Sequence, residues 1–341
     1  MTQSTDDSVR LIDSVNHAVA HKKQLSIMGH GSKTYYARST EGDALQSADH
    51  VGVIEYQPEE LVISVRAGTS LRDIEETLDQ HNQMLACDPP QFLGRGTIGG
   101  AVAAGLCGPG RPWYGNLRDA VLGVEIVNGL GERLRFGGSV MKNVAGFDVS
   151  RLMVGSLGVF GLILSVNLRV HPKPETECTI ALDMDWNDAW QVLGRTIAKP
   201  SAVTATCYLS GTLFLRLSGN RVSVKAACAS FPGAKEMEND LWVQLRDHKH
   251  PFFLEREELR RTWLARGRQV QISADEPSLI EWAGAQVWAH GTGGTSPTID
   301  ESDCSEPFDR SRVSPNEETK YVKRLRRAFD PALLFNSDIR L

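Results

Sequence analysis

GRGTIGG, residues 94–100, holds a G-x-G-x-x-G match at Gly94, Gly96 and Gly99. That spacing marks a dinucleotide site only where it follows a strand and opens a crossover helix, so that backbone meets a pyrophosphate at the helix N-terminus. Here it follows CDPPQFL, in which Pro89 and Pro90 interrupt any strand. It runs into AVAAGLCGPGRPWYG, where Gly105, Gly108, Pro109 and Gly110 break any helix early. The acid expected about 20 residues on fares no better, because Asp119 and Glu125 sit where a new strand begins. The Rossmann reading fails on context, and so much glycine needs another reason.

Two further segments are similar in texture. The apolar strand LSIM leads into GHGSK, residues 29–33. Consecutive amides freed of side-chain bulk by Gly29 and Gly31 form a concavity for anionic oxygens, to which Ser32 adds a hydroxyl and Lys33 a charge. Taken alone, a plain hairpin or strand-to-loop turn is the slightly better account. GRGTIGGAVAAGLCGPG packs small residues so densely that something flat or bulky must lie against its backbone. KNVAGFDVSRLMVGSLGVFG repeats the device with Gly146, Gly155, Gly158 and Gly161. Tight sheet packing or bulges explain either one singly. Three such segments in order, separated by strand–helix units, are not coincidence.

At 341 residues the chain can hold two domains with real cores, and 41% hydrophobic with 23% charged residues is ordinary for a globular protein. A net charge of −5 provides no basic footprint for nucleic acid. The polar, acidic N-terminus is unlike a signal peptide, and no run approaches the roughly 18 apolar residues of a membrane span. Cys87, Cys107, Cys178, Cys207, Cys228 and Cys304 form no C-x-x-C pair, which argues against a metal, an iron–sulfur cluster or a disulfide framework and for a cytoplasmic setting.

Periodicity predicts a first helix with Val9, Ile12, Val15 and Val19 on one face. ELVISVRAG is a predicted strand, and Ser70 with Asp73 caps a helix carrying Leu71, Ile74 and Leu78 inward. AVLGVEIVNGLGERLRF reads as a hairpin turning at Asn128-Gly129. Pro172 and Pro174 mark a domain boundary. Beyond it, CTIALDM, WNDAWQVLGRTIA, TATCYLS, TLFLRLSG, RVSVKAACASFPG and LWVQLR suggest strand, helix, two hairpin strands, helix and strand, the ferredoxin-like order, with RVSVKAAC open to a strand reading. Strands are expected around TWLA and SLIEWAGAQVWA, a long loop over 291–315, and a basic helix in EETKYVKRLRRAF.

The three glycine segments in this order resemble the FAD-binding domain of the vanillyl-alcohol oxidase family, the PCMH-type domain, over the first half of the chain and its final helix. The resemblance implies an α+β fold: a PCMH-type two-subdomain FAD domain over 1–175, completed by 320–341, with a smaller ferredoxin-like α+β cap over 176–319. It assigns the pyrophosphate to Met28, Gly29, His30, Gly31, Ser32 and Lys33, and the flavin to Thr97, Ile98, Gly99, Gly100, Ala103 and Gly105, with Pro89 nearby. YGNLRDAVLGVEIV supplies Arg118 and Asp119. The adenosine side falls to Gly146, Phe147, Gly158, Gly161 and Ile163, and the C-terminal return to Asn336. His30 stands where many relatives have Gly, and SDIRL follows Asn336 where relatives have Pro-Gly.

Within that family DPPQFLGRGTIGGAVAAGLCGPGRPWYG, KNVAGFDVSRLMVGSLGVFG and IEWAGAQVW are most similar to the small FAD-binding subunits of bacterial glycolate oxidases (glycolate dehydrogenases). This implies a complex oxidising glycolate to glyoxylate, with a larger FAD subunit and an iron–sulfur subunit as partners. Its setting is the cytoplasm, at the inner face of the membrane through the complex. The flavin is expected to be noncovalent, since His30 lies between glycines rather than after a pair. No catalytic base is assigned: the H-x-G-D-G-N-x-H motif of larger relatives is absent, His248 and His250 read more simply as a solvated turn before Pro251, His290 precedes the long loop and stays open, and Arg216 and Arg261 read as exposed arginines. Three functions stay open: an FAD subunit of a dehydrogenase complex, a self-sufficient dehydrogenase, and a structural subunit with a relict flavin site. For docking, the sequence offers the second-half tryptophans and KRLRRAF.

Overall fold

The first helix, Ser8–His21, buries Ser8, Leu11, Val15 and Ala18. The expected face is thus one residue out of phase: Val15 is shared, but Val9 is 71% exposed. Two apolar stripes overlap on this helix, and the one carrying Leu11 packs against Leu25, Leu45, Val127, Leu334 and Phe335. The computed structural model describes all residues except 1–3, 38, 40, 93, 139–147, 199–200, 239, 255–258, 266, 273–277, 291–303, 309–318 and 340, and excepting the side chains of 304–307. Gly146, Phe147 and most of the expected 291–315 loop therefore lie outside the described residues.

The chain divides into two compact units, one of Met1–Cys107, Asn116–Pro172 and Arg310–Leu341, the other of Gly108–Gly115 and Lys173–Asp309. The expectation that all of 1–175 forms one domain is corrected at Gly108–Gly115. This short excursion packs with the second unit because the Trp282 indole N–H donates to the Gly108 carbonyl (3.1 Å), Arg111 lies over the Trp282 ring (4.4 Å), and Trp113 joins that unit's core.

In the first unit, strands Val53–Gln57, Val62–Arg66, Leu162–Arg169, Val121–Val127 and Arg133–Gly137 form, in that spatial order, an antiparallel sheet. Ser70 caps helix Leu71–Asp79 by accepting from the Asp73 amide, and Leu71, Ile74 and Leu78 are fully buried on that unit's core, as their spacing predicts. Burying each such side chain contributes about 1.5–3 kcal/mol. A separate pair, Leu25–Met28 and Asp43–Gln46, runs parallel. The C-terminal segment joins this pair: the Leu25 amide donates to Leu334, and the Asn336 amide donates back to Leu25.

In the second unit, strands Thr176–Asp183, Val203–Leu209, Thr212–Gly219 and Lys235–Met237 alternate with helices Trp186–Ile197 and Arg221–Ala229. The first four positions of the sheet read, in chain-order terms, fourth, first, third, second, the ferredoxin-like arrangement. RVSVKAAC resolves as helix, started by the Asn220 side chain accepting from Ser223. LWVQLR is a correction: it is helical, Asp240–Arg246, and the fourth strand is Lys235–Met237. Trp242 and Leu245 lie three apart and are buried, and the Trp242 indole donates to Thr179 Oγ1 (2.8 Å), so a helical period satisfies what alternation would not. Ser278–Glu281, Gln286–His290, Leu259–Trp263 and Cys304–Pro307 extend the sheet.

Glu281 sits 4% exposed at a strand end, accepting from the indole N–H of Trp288 (2.8 Å) and from Gln286 (3.2 Å). Burial pushes its carboxyl up to about 7, outweighing those hydrogen bonds. Between the ordinary carboxylate value of 4.5 and about 7, the unfolded chain has already lost a proton that the folded chain retains. Stability from this group is thus complete below 4.5 and declines as pH rises through that window, by up to about 3 kcal/mol. Glu281→Gln keeps a side-chain acceptor for Trp288. Its thermal midpoint should exceed wild type at pH 8 and match it near pH 4.5; equal midpoints at pH 8 would count against an ionised, buried Glu281.

Candidate functional site

Strand Leu25–Met28 ends in Gly29, and the loop after it lines a cleft together with one face of helix Ile98–Ala104, Leu157, Asn336 and Ile339. Gly31 has φ +69°, a left-handed conformation that turns the loop back on itself. At Gly29 an added Cβ would come within 2.8 Å of Thr97 Oγ1, so loop and helix can approach this closely only with glycine there. Beyond this turn, Tyr36 and Ala37 donate to the Lys33 carbonyl. Among the described residues, the amides of Gly29, His30, Gly31 and Ser32 make no backbone hydrogen bond, although Ser32 is 8% exposed. Amides left unspent at the rim of a cleft are donors awaiting acceptors. Lys33 adds the charge, its ammonium 5.5 Å from the Phe92 ring centre, and among the described residues the lining contains no carboxylate.

The helix opposite is different. Its first amides are already spent: Ile98 on the Thr69 carbonyl (2.9 Å), Gly99 on Ala67 (2.8 Å), and Gly100 on the Thr97 side chain (3.1 Å). The G-x-G-x-x-G match consequently opens a helix without free donors. The helix offers the cleft a flat surface instead, from Thr97, Gly100, Ala103 and Ala104, while Ile98, Ala101 and Val102 face the core. Helical phase thus separates residues that the sequence treats as a block. Gly99 faces inward, where a Cβ would meet Ala67 Cβ at 2.8 Å; at Gly100 the one neighbour is Thr97 Oγ1 at 3.1 Å.

A chain of hydrogen bonds fixes the cleft's walls. The Leu157 amide donates to Ala103 (2.8 Å), the Asn336 Nδ2 group donates to the Leu157 carbonyl (2.7 Å), and Asn336 Oδ1 accepts from the Ile27 amide (2.9 Å). Gly158, at φ +78°, is the gap that admits Asn336, whose Nδ2 stands 2.7 Å from where a Cβ would lie. Asn336 itself has φ +42°, which Asn tolerates better than most residues. Its side chain therefore ties three segments together rather than reaching into the cleft.

The structure brings Met28, Gly29, His30, Gly31, Ser32, Lys33, Thr97, Gly100, Ala103 and Asn336 to this cleft. It does not bring the others. Ile98 and Gly99 face the core, and Pro89 is buried away from the lining. Gly105 ends the helix at φ +65° against Gly155, and Gly161 packs on the Val127 carbonyl. Asp119 accepts from the Asn116 amide in a capping box, and Arg118 donates to the Arg151 carbonyl. Ile163 pairs with Ile126 inside the sheet. His30 is exposed, with Nδ1 held 3.1 Å from the Arg95 carbonyl.

The second unit overturns several expectations. Arg216 and Arg261 are each 7% exposed: Arg216 donates to Thr204 Oγ1 and its carbonyl, and Arg261 stacks on Trp263 at 4.2 Å. His248 is 6% exposed and stacked on Phe253, whereas His250 accepts from the Phe252 amide and His290 lies against the Phe252 carbonyl. Trp186, Trp242, Trp282 and Trp288 are core residues, not docking surface. In the first unit, too, the basic C-terminal helix departs from a docking face: Arg326 turns inward to three carbonyls, those of Phe335, Asn336 and Ile339. Sequence reading missed Leu157 and Ile339 in the cleft and the buried Glu281; Leu157 adjoins Gly158 and was recoverable from it. Among the described residues no helix is long and apolar enough to cross a membrane.

Residues 5–137 match the family model described as an FAD binding domain. The chain is 40% identical over 292 residues to glycolate oxidase subunit GlcE of Escherichia coli (strain K12), covering 86% of this chain and 83% of that protein. It is 30% identical over 182 residues to glycolate oxidase subunit GlcD of Bacillus subtilis (strain 168), covering 52% of this chain and 37% of that one. Among solved structures, an alkyldihydroxyacetonephosphate synthase superposes with a TM-score of 0.67 at 12% identity, over 97% of this chain and 74% of its own, which establishes the shared fold.

Proposed function

We propose that this chain, which belongs to the FAD-binding family of the glycolate oxidase subunit GlcE, serves as one flavin-holding subunit of a glycolate (D-2-hydroxy acid) dehydrogenase complex. It is an FAD-dependent oxidoreductase. Its partners in that complex are a larger FAD subunit and an iron–sulfur subunit, glyoxylate is the product, and the complex works in the cytoplasm. The observation that carries the cofactor assignment is the row of unspent amides at 29–32, beside Lys33 and facing a carboxylate-free lining. Such a row suits the oxygens of a pyrophosphate. The smooth face at Thr97, Gly100, Ala103 and Ala104 suits a flat ring, held noncovalently.

When bound, FAD supplies a two-electron acceptor for oxidation at the α-carbon of a hydroxy acid. The residues of this chain then have limited tasks. Amides 29–32 and Lys33 hold anionic oxygens, the small-residue face admits the ring and excludes water, and Asn336 keeps the walls in register. Substrate oxidation also needs a base for the hydroxyl proton. Among the described residues the cleft lining holds no carboxylate, and its one imidazole, His30, is tied at Nδ1 to the Arg95 carbonyl. That favours a division of labour in which the larger subunit does the chemistry.

Anaerobic stopped-flow with glycolate tests this. The isolated protein should retain its yellow colour for minutes, and adding the larger flavin subunit and the iron–sulfur subunit should restore dye-coupled glycolate oxidation. Flavin reduction within seconds in the isolated protein would replace the proposal with a self-sufficient dehydrogenase. A colourless protein that takes up no FAD would leave only the structural-subunit reading.

A further inference from the structure

Cysteine spacing alone places no two thiols together, yet the fold of the second unit does. Cys178 lies on strand Thr176–Asp183 and Cys228 in the last turn of helix Arg221–Ala229, fifty residues apart in sequence, with their sulfurs 3.2 Å from each other. Both are free thiols and both are half-buried, within reach of small solutes. We propose that Cys178 and Cys228 are a modification site: a thiol pair that closes to an intramolecular disulfide by exchange with a low-molecular-weight disulfide such as oxidised glutathione.

The sulfurs need to approach by about 1 Å to reach a bonded separation near 2.05 Å. A helix C-terminus can supply that: Ser230 caps the helix, and the chain then turns through Gly233 at φ +80°. The order of steps follows from position. Cys228 sits in the last turn of its helix beside exposed Lys225, Ala226 and Ala229, whereas Cys178 lies on a strand paired with Thr212–Gly219, so Cys228 is the sulfur that an external disulfide meets first. Burial, then the contact with Cys228, pushes the Cys178 thiol up, which works in the same direction. The Cys228 thiolate attacks one sulfur of the external disulfide, forming a mixed disulfide and expelling one thiolate. Cys178 gives up its proton and attacks the Cys228 sulfur of that mixed disulfide, expelling the second thiolate. Two protein thiols lose two electrons and two protons, and one external disulfide becomes two thiols.

Two other cysteines provide an internal contrast. Cys87 and Cys207 are fully buried with thiols raised well above the usual value, Cys87 by its contact with Cys107 and by burial, Cys207 by burial. They should not exchange while the protein is folded. The new bond would pin helix Arg221–Ala229 to the sheet and so fix one wall of the groove lined by Asn220, Ser223 and Ala227 on one side and Val192 and Thr196 on the other.

The test treats the reduced holoprotein with excess oxidised glutathione, blocks remaining thiols with N-ethylmaleimide, and maps peptides by mass spectrometry. The expected product is a cross-linked pair of peptides containing Cys178 and Cys228, lighter by two hydrogens. Closing so long a loop should raise the thermal midpoint by roughly 5–10 °C, reversed by dithiothreitol. Cys178→Ser should stop at a stable glutathione adduct on Cys228, and Cys228→Ser should show neither cross-link nor shift. Wild-type protein that accumulates the Cys228 adduct without cross-linking, or in which both thiols remain open to maleimide, overturns the proposal.

Discussion

Gly100→Leu should purify folded and colourless. The position lies on the cleft face of helix Ile98–Ala104, where an added Cβ has only Thr97 Oγ1 near it and the rest of the side chain extends into the space proposed for the flavin ring. Leucine is also the better helix former, which offsets the few tenths of an ångström that Thr97 Oγ1 must give. An isobutyl group in a ring's place should weaken FAD binding at least 100-fold, about 2.7 kcal/mol. The ratio of flavin to protein absorbance, read beside the thermal midpoint, checks it. Gly99→Leu is the control with the opposite signature. Its Cβ is driven into Ala67, so it should lower the midpoint and yield by overpacking, at about 1–3 kcal/mol or more. Stoichiometric flavin in Gly100→Leu would remove the ring from this face.

Removal of residues 320–341 should have a comparably large effect on stability. Phe335, Leu334 and Ile339 are 0%, 3% and 3% exposed in the first unit, each contributing about 1.5–3 kcal/mol of burial. Arg326 satisfies three carbonyls of the same segment, and Asp330, fully buried, accepts from the Leu334 and Phe335 amides. Without them strand Leu25–Met28 loses a backbone partner and the Ile27 amide loses its acceptor. The truncated protein should be insoluble, or melt more than 10 °C lower and hold no flavin. Asn336→Ala separates the two effects: the apolar packing survives, but the tie between Ile27 and Leu157 does not, so flavin retention should fall more than the midpoint. A truncation that leaves both unchanged would mean the segment does not support the cleft.

Much of the site was legible because it is local. A strand followed at once by GHGSK, and a Thr–x–x–Gly start to a helix of small residues, are short-range patterns whose backbone consequences do not depend on the rest of the chain. The same is true of Ser70 above its buried Leu71, Ile74 and Leu78. Helical phase was harder to judge. Gly99 and Gly100 are chemically identical, and only the position of Ala67 makes one a packing residue and the other a cleft residue.

Local pattern was enough for the three glycine segments, their order, the first five elements of the ferredoxin-like alternation after Pro172 and the absence of any C-x-x-C metal spacing. These depend on glycine's missing side chain, on caps and on periodicity, which act over a few residues. Long-range packing was needed for Asn336 to span to Ile27 and Leu157, for Gly108–Gly115 to join the second unit, for Asp240–Arg246 to be a helix with Trp242 on Thr179, and for Cys178 to meet Cys228. Each of those pairs residues far apart in the chain, and their energies come from burial and hydrogen bonding that exist only once both partners have been brought together.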